Sequence, residues 1–215
     1  MKLPDKIFIT GVIGSKWSAI THELEKLEGV NTSDHRSDRE YEPTHMTGYE
    51  PDKFTSRPMH RGIYFGKGME FEAYLNSDYL NRAWADPGGT KIVKSHDWAN
   101  NLDAVLEAFP KDWLMLVYRP DAASLAWWYA HGGPRITYPK YTPIKNHADA
   151  LAEISVQNDL MLKFAHKHDL RWGYFNEQWI LENFGQKVTI TRPKNQWDDV
   201  LVTILKPNDS SLPTA

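Results

Sequence analysis

The sequence predicts an α/β domain built on a central, mostly parallel sheet with helices on both faces. Three observations carry this expectation. Residues 6–10 (KIFIT) form a short apolar run closed by Gly11 and Gly14 and followed by a helical pattern, which is how a βαβ unit opens. Trp113–Tyr118 (WLMLVY) is near-continuously apolar, as a parallel strand covered on both faces must be. Along the rest of the chain, short apolar runs alternate with longer stretches of helical period, an order that produces a parallel sheet.

Taken in order, the first run reads as a buried strand. Trp17, Ile20, Leu24 and Leu27 then recur at helical spacing and stop near Gly29. Residues 31–62 are polar, rich in Asp, Arg, His, Pro and Thr, and have no clean period. A loop this long in a compact domain is usually functional or disordered. Residues 69–84 return to an aromatic-rich helical pattern. Lys91–Lys94 (KIVK) reads as a strand, and Leu102, Val105, Leu106 and Phe109 mark one face of a helix stopped by Pro110. After the WLMLVY strand come a helix over 124–129, a Gly/Pro-rich loop to Pro143, a long helix over 148–168 and a strand within 170–175. Residues 188–191 and Leu201–Leu205 read as a closing β-hairpin. Residues 1–205 are thus one domain, and 206–215 a polar, frayed tail.

The bulk numbers exclude several classes. A chain of 215 residues buries a good core as one domain and is short for two. A net charge of −3 gives no reason to expect nucleic acid. With no cysteine there is no disulfide framework, thiolate metal site or cysteine nucleophile. The N-terminal stretch is too short and too interrupted by charge for a signal peptide, and no run approaches the roughly 18 apolar residues of a membrane helix. These features predict a soluble, cytoplasmic domain with no membrane partner. Oligomeric state is not readable from them.

Three strands end in residues that can do chemistry, and ligands of open α/β sheets bind at the carboxyl ends of strands. After the first comes Thr10-Gly11-Val12-Ile13-Gly14-Ser15-Lys16-Trp17-Ser18. Glycines let backbone approach a phosphate, and the helix that follows offers unpaired N–H groups to an anion. The kinase form of such a loop, G-x-x-x-x-G-K-S/T, is not met, because two residues separate the glycines and Trp17 follows Lys16. Ser18 is therefore not assigned to magnesium. A glycine turn that merely caps a helix explains this segment equally well. The second segment, Lys94-Ser95-His96-Asp97, brings to its strand end a histidine able to act as general base. For one histidine among nine, turn capping is the plainer reading. The third, Tyr118-Arg119-Pro120 leading to Ser124, sets an arginine and a hydroxyl where they can grip a phosphate. An ion pair with Asp121 or another nearby acid accounts for Arg119 as readily. His166 and His168, two apart on one helix, make a poor metal pair.

The order of these segments resembles the sulfotransferase family. Thr10, Gly14, Ser15 and Trp17 match the family's TYPKSGTTW loop shortened by one residue, Lys94-Ser95-His96 resembles its K-T-H motif, and Arg119-Pro120 resembles its R-x-P…S motif. Trp128-Tyr129 resembles the aromatic pair that follows. Tyr174, Arg192 and Lys194 correspond to a later tyrosine and basic loop. The family's loop lysine falls on Ile13, so its role passes to Lys16 or is lost. Its serine position falls on Ala126 or Trp127, leaving Ser124 to substitute.

The resemblance implies a P-loop-like three-layer α/β/α fold and transfer of a sulfuryl group from 3′-phosphoadenosine-5′-phosphosulfate (PAPS) to a hydroxyl or amine of a small-molecule acceptor, leaving PAP, with no metal. It implies that His96 is the catalytic base and that Lys16 and Lys94 neutralise the leaving phosphate. Gly14, Ser15 and Ser18 would hold the 5′-phosphate, Arg119 and Ser124 the 3′-phosphate, and Trp17 would stack on the adenine. Residues 31–84 and 131–147 would line the acceptor pocket. Two alternatives stand beside it: a small-molecule or nucleotide kinase using ATP and magnesium with Asp97, and a catalytically inactive nucleotide-binding module.

Overall fold

In the computed structural model, which describes residues 2–33, 44–46, 54–56, 75, 77–81, 84–95, 97–130 and 146–207, the apolar runs become strands. The elements in chain order are β1 (Lys6–Gly11), α1 (Trp17–Leu24), β2 (Thr44–Met46), β3 (Phe54–Ser56), α2 (Ser77–Asn81), β4 (Lys91–Lys94) and a 3-10 turn (Asp97–Asn100). There follow α3 (Leu102–Ala108), β5 (Trp113–Tyr118), α4 (Asp121–Ala130), α5 (His147–Lys167), β6 (Gly173–Tyr174), α6 (Glu177–Phe184), a second 3-10 turn (Lys194–Gln196) and β7 (Leu201–Leu205). The class is α/β, as expected.

Five strands form one mixed sheet in the order β4-β1-β5-β7-β6. β1 pairs in parallel with β4 on one side and β5 on the other, and these three strands are buried along almost their whole length. β7 runs antiparallel to both β5 and β6. β2 and β3 make a separate two-stranded antiparallel sheet. Ile7, Ile9, Ile92, Val93, Met115, Leu116 and Val117 have no accessible surface, which accounts for strands written without polar alternation. Phe8 packs edge-on against Trp98 of the 3-10 turn at 4.9 Å and against Phe109 at 4.6 Å. Trp17, Trp84, Trp98, Trp113, Trp128, Trp179 and Trp197 are all buried, so tryptophan here is chiefly a core residue. Among the described residues, no helix is long and apolar enough to cross a membrane.

Several elements differ from expectation; β2 and β3, for instance, form inside the stretch read as a loop. Residues 188–191 form no strand, and the closing strand pairs with β5 and β6 instead. The reason is that side chains, not a ladder, satisfy this segment's backbone. Thr191 N–H and Oγ1–H donate to Glu23, Ile190 N–H donates to Glu177 Oε1, and Lys26 donates to the Thr189 carbonyl. Helix α6 was not anticipated, although its signals are present. Asn176 caps it by accepting from Trp179 N–H at 2.8 Å, and Gly185 ends it in the left-handed region at φ 69°.

Glu23 is fully buried and is the hub of this packing, bonded to Lys26 as well as to Thr191. Burial alone would raise its carboxyl pKa, but the bonds from Lys26 and Thr191 outweigh burial and hold it below the ordinary value. A depressed carboxylate contributes stability above its unfolded pKa, about 4.3, and loses it as pH falls through the lower folded value. Glu23→Gln is expected to lose about 1.5–3 kcal/mol at pH 7 and to flatten the acid limb of stability below about pH 5. Urea denaturation across pH 3–7 checks this. Curves of equal slope for the two proteins would show that Glu23 does not carry the acid sensitivity.

Candidate functional site

The topology brings the three chemical segments to one edge. β4, β1 and β5 are parallel, so their carboxyl ends open on the same side. The chain leaves β1 toward β4 and then returns across it to β5, so the strand order reverses between β1 and β5, where such sheets form their ligand crevice. Residues 12–16 and Arg119 leave the sheet at this point, with Lys94 and Ser95 beside them at the end of β4.

The loop is held tightly. Ser15 N–H bonds back to the Val12 carbonyl at 3.0 Å, Gly14 has φ 75°, and Lys16 is left-handed at φ 68° immediately before α1. A side-chain carbon at Gly14 would fall 1.9 Å from the Ser124 carbonyl oxygen, and one at Gly11 would fall 2.6 Å from Ser15 Oγ. The glycines thus let the loop lie against α4 and against itself. Ser15 is fully buried, and among the described residues its hydroxyl has no hydrogen-bond partner. Ser18, in the first turn of α1, accepts from Lys94 Nζ at 2.9 Å. Lys94 is itself fully buried, with its ammonium 5.0 Å from the ring centre of the buried Trp17.

Arg119 ties the loop to the far end of the chain. Its Nη1 donates to the Gly14 carbonyl at 3.0 Å, and its Nε and Nη2 donate to Asp199 Oδ2 at 2.8 and 2.6 Å. Lys16 Nζ lies 3.6 Å from Asp199 Oδ1 and donates to the Gln196 carbonyl. Trp127 lies beneath both cations, its ring centre 4.5 Å from Lys16 Nζ and 5.5 Å from the guanidinium carbon. Burial first, then the neighbouring Arg119, lowers the Lys16 pKa, against the opposing pull of Asp199. Burial would raise the Asp199 carboxyl, but Arg119 outweighs it and holds it low. Ser124 Oγ donates to the Arg119 carbonyl at 3.3 Å, as does Asn158 Nδ2 of α5 at 2.9 Å.

Gly14, Ser15, Lys16, Trp17, Ser18, Lys94, Arg119 and Ser124 are therefore gathered at one edge. His96 lies outside the described residues, as does the 131–145 stretch of the expected acceptor loop and most of residues 34–76. Arg119 does pair with an acid, which is Asp199 and not Asp121. Asp121 instead accepts from Asn158. Asp199, Trp127 and Asn158 were missed. Asn158 had a signal: it is the polar member of the buried helical series Ile154, Asn158, Met161 and Ala165. Asp199 had none, being 80 residues from its partner in sequence. Beside the second 3-10 turn, a cavity of about 550 Å³ is lined by Tyr174, Phe175, Ile190, Arg192, Lys194 and Trp197. Among the described residues, no group of three or more His, Cys, Asp or Glu is arranged to hold a metal ion.

No family model matches the chain, and no curated protein or solved structure matches it significantly.

Proposed function

We propose that this chain is a PAPS-dependent sulfotransferase with a P-loop-like three-layer α/β/α fold, acting on a hydroxyl or amine of a small-molecule acceptor. The observation that carries the reading is the meeting of three separate segments at the β1–β5 crevice. Arg119 is bonded to the loop at Gly14, and Lys94 to the head of α1 at Ser18. A second observation supports it. Tyr174, Arg192 and Lys194, which correspond to the family's later tyrosine and basic loop, line one cavity next to the Lys16 contact at Gln196.

The residues fit an adenosine bisphosphate at this edge. Three cations, Lys16, Lys94 and Arg119, are each less than a tenth exposed, so their charge is weakly screened and already oriented. Gly14, Ser15 and Ser18 form the loop and helix start that would hold the 5′-phosphate. Lys94, bonded to Ser18 at that start, would neutralise the leaving phosphate. In place of the leaving-phosphate role that the resemblance implies for it, Lys16 is assigned with Arg119 and Ser124 to the 3′-phosphate, because it reaches the same carboxylate as Arg119. PAPS supplies the activated sulfuryl group, and His96 would take the acceptor's proton.

Thermal shift with PAP tests the reading. A ligand at 100 times its dissociation constant stabilises the fold by about 2.7 kcal/mol, and each kcal/mol moves the midpoint of a chain this size by roughly 2–4 °C. PAP is expected to give such a shift and ATP with magnesium a smaller one. An equal or larger shift with magnesium-ATP would replace this reading with the kinase.

A further inference from the structure

Lys16 and Arg119 converge on one carboxylate. Their side chains are 4% and 8% exposed, while that of Asp199 is 38% exposed. Two nearly dry positive charges thus share one negative charge, and the negative partner is the member nearest solvent. Arg192 adds further positive field at Lys16. The face of Trp127 contributes only a partial counter-charge beneath the pair. The three groups carry an excess of about one positive charge, and Asp199 is the one of them most open to solvent.

The contact pattern is also that of a ligand. Asp199 takes the Nε–Nη2 edge of the guanidinium, the edge that phosphate and sulfate oxygens engage. The third guanidinium nitrogen, Nη1, is held by the Gly14 carbonyl, so the fork is aimed whether or not the carboxylate is there. Exchanging one carboxylate for another single negative charge leaves the excess positive charge in place. Exchanging it for a group of charge −2 removes the excess and supplies further acceptor oxygens.

We propose that Lys16 and Arg119 form one site for a divalent tetrahedral oxyanion, that Asp199 is its resident occupant, and that a ligand binds by displacing the Asp199 carboxylate toward solvent. Asp199 thereby sets both the affinity of the site and its preference for doubly charged groups. For a bare oxyanion this stands on the geometry alone. For the donor's 3′-phosphate it rests on the sulfotransferase reading.

The test is calorimetric titration of wild-type protein and Asp199→Asn with sodium sulfate, with sodium chloride at matched ionic strength and with PAP. Asparagine keeps the size of the side chain and removes the competing charge. A charge-assisted contact to a buried cation corresponds to about ten- to a hundredfold in binding, so Asp199→Asn is expected to bind sulfate tighter by that factor. Sulfate binding no tighter in the variant would overturn the proposal. So would tightening by chloride as large as that by sulfate, since the divalent preference would be gone. If the variant does not fold in dilute buffer, refolding across a sulfate series decides: rescue by sulfate and not by chloride upholds the proposal, and no rescue overturns it. Tightening of PAP in parallel with sulfate ties the site to the donor. Tightening of sulfate with no PAP binding in either protein upholds the anion site and overturns the donor reading.

Discussion

Gly14→Ala is expected to cost the protein more than about 4 kcal/mol of folding stability, a loss that single substitutions reach only exceptionally. Two effects add. Gly14 has φ 75°, where a side-chain carbon costs about 1–2 kcal/mol. The added carbon would also lie 1.9 Å from the Ser124 carbonyl oxygen and 2.7 Å from its carbonyl carbon. Both atoms are backbone at the buried base of α4, so no rotamer change relieves the clash. Gly29→Ala is the matched control. Its φ of 89° is equally unfavourable, but nothing lies within 4 Å of the new carbon, so only the conformational cost of about 1–2 kcal/mol applies. Urea denaturation of the two variants measures the difference. Equal losses would show that the loop moves off α4 freely and that the close approach is not what requires glycine at position 14.

His96→Asn carries the largest expected effect on activity. Turnover should fall by about 10²- to 10⁴-fold, the usual range for losing a general acid–base group. PAP affinity and folding should stay near wild type, because the chain is anchored on both sides of position 96. Ser95 N–H bonds to the Ile9 carbonyl at 3.2 Å, and the 3-10 turn Asp97–Asn100 inserts Trp98 with no accessible surface. Asparagine retains a hydrogen-bonding group and removes the titrating nitrogen. PAP release in the presence of an acceptor found by screening, measured beside PAP affinity, separates the outcomes. A variant that binds PAP and turns over near the wild-type rate removes His96 from the mechanism. A variant that unfolds assigns it to capping the turn.

The elements legible in the sequence are those whose signal is local. Trp113–Tyr118 is apolar at every position before its last, and five such residues in a row suit a strand covered on both sides. The long helix expected over 148–168 is α5 (His147–Lys167), because its buried residues, from Ala150 to Ala165, keep helical spacing over about four turns. Gly14, at φ 75°, marked the turn after β1 for a conformational reason intrinsic to glycine, while Gly11 is the last residue of β1 itself. The expected hairpin failed because residues 188–191 are β-branched enough to read as a strand while their backbone is bonded to the side chains of Glu23 on α1, Lys26 just after it and Glu177 on α6.

By itself the sequence located β1, β4, β5 and β7 and showed which strand ends carry a glycine loop, a lysine and an arginine. Tertiary structure alone decided what meets those groups, and the deciding fact is the direction of β7. Because β7 is antiparallel to β5, with Leu201 opposite Tyr118, the residues just before β7 arrive at the carboxyl edge of β5. That sets Asp199 beside Arg119. In a parallel strand the same residues would enter at the opposite edge of the sheet, some 3.3 Å per residue away along a five-residue strand, and the arginine would lack its carboxylate. Strand direction depends on hydrogen bonds between segments about 80 residues apart, and no pattern within either segment encodes it.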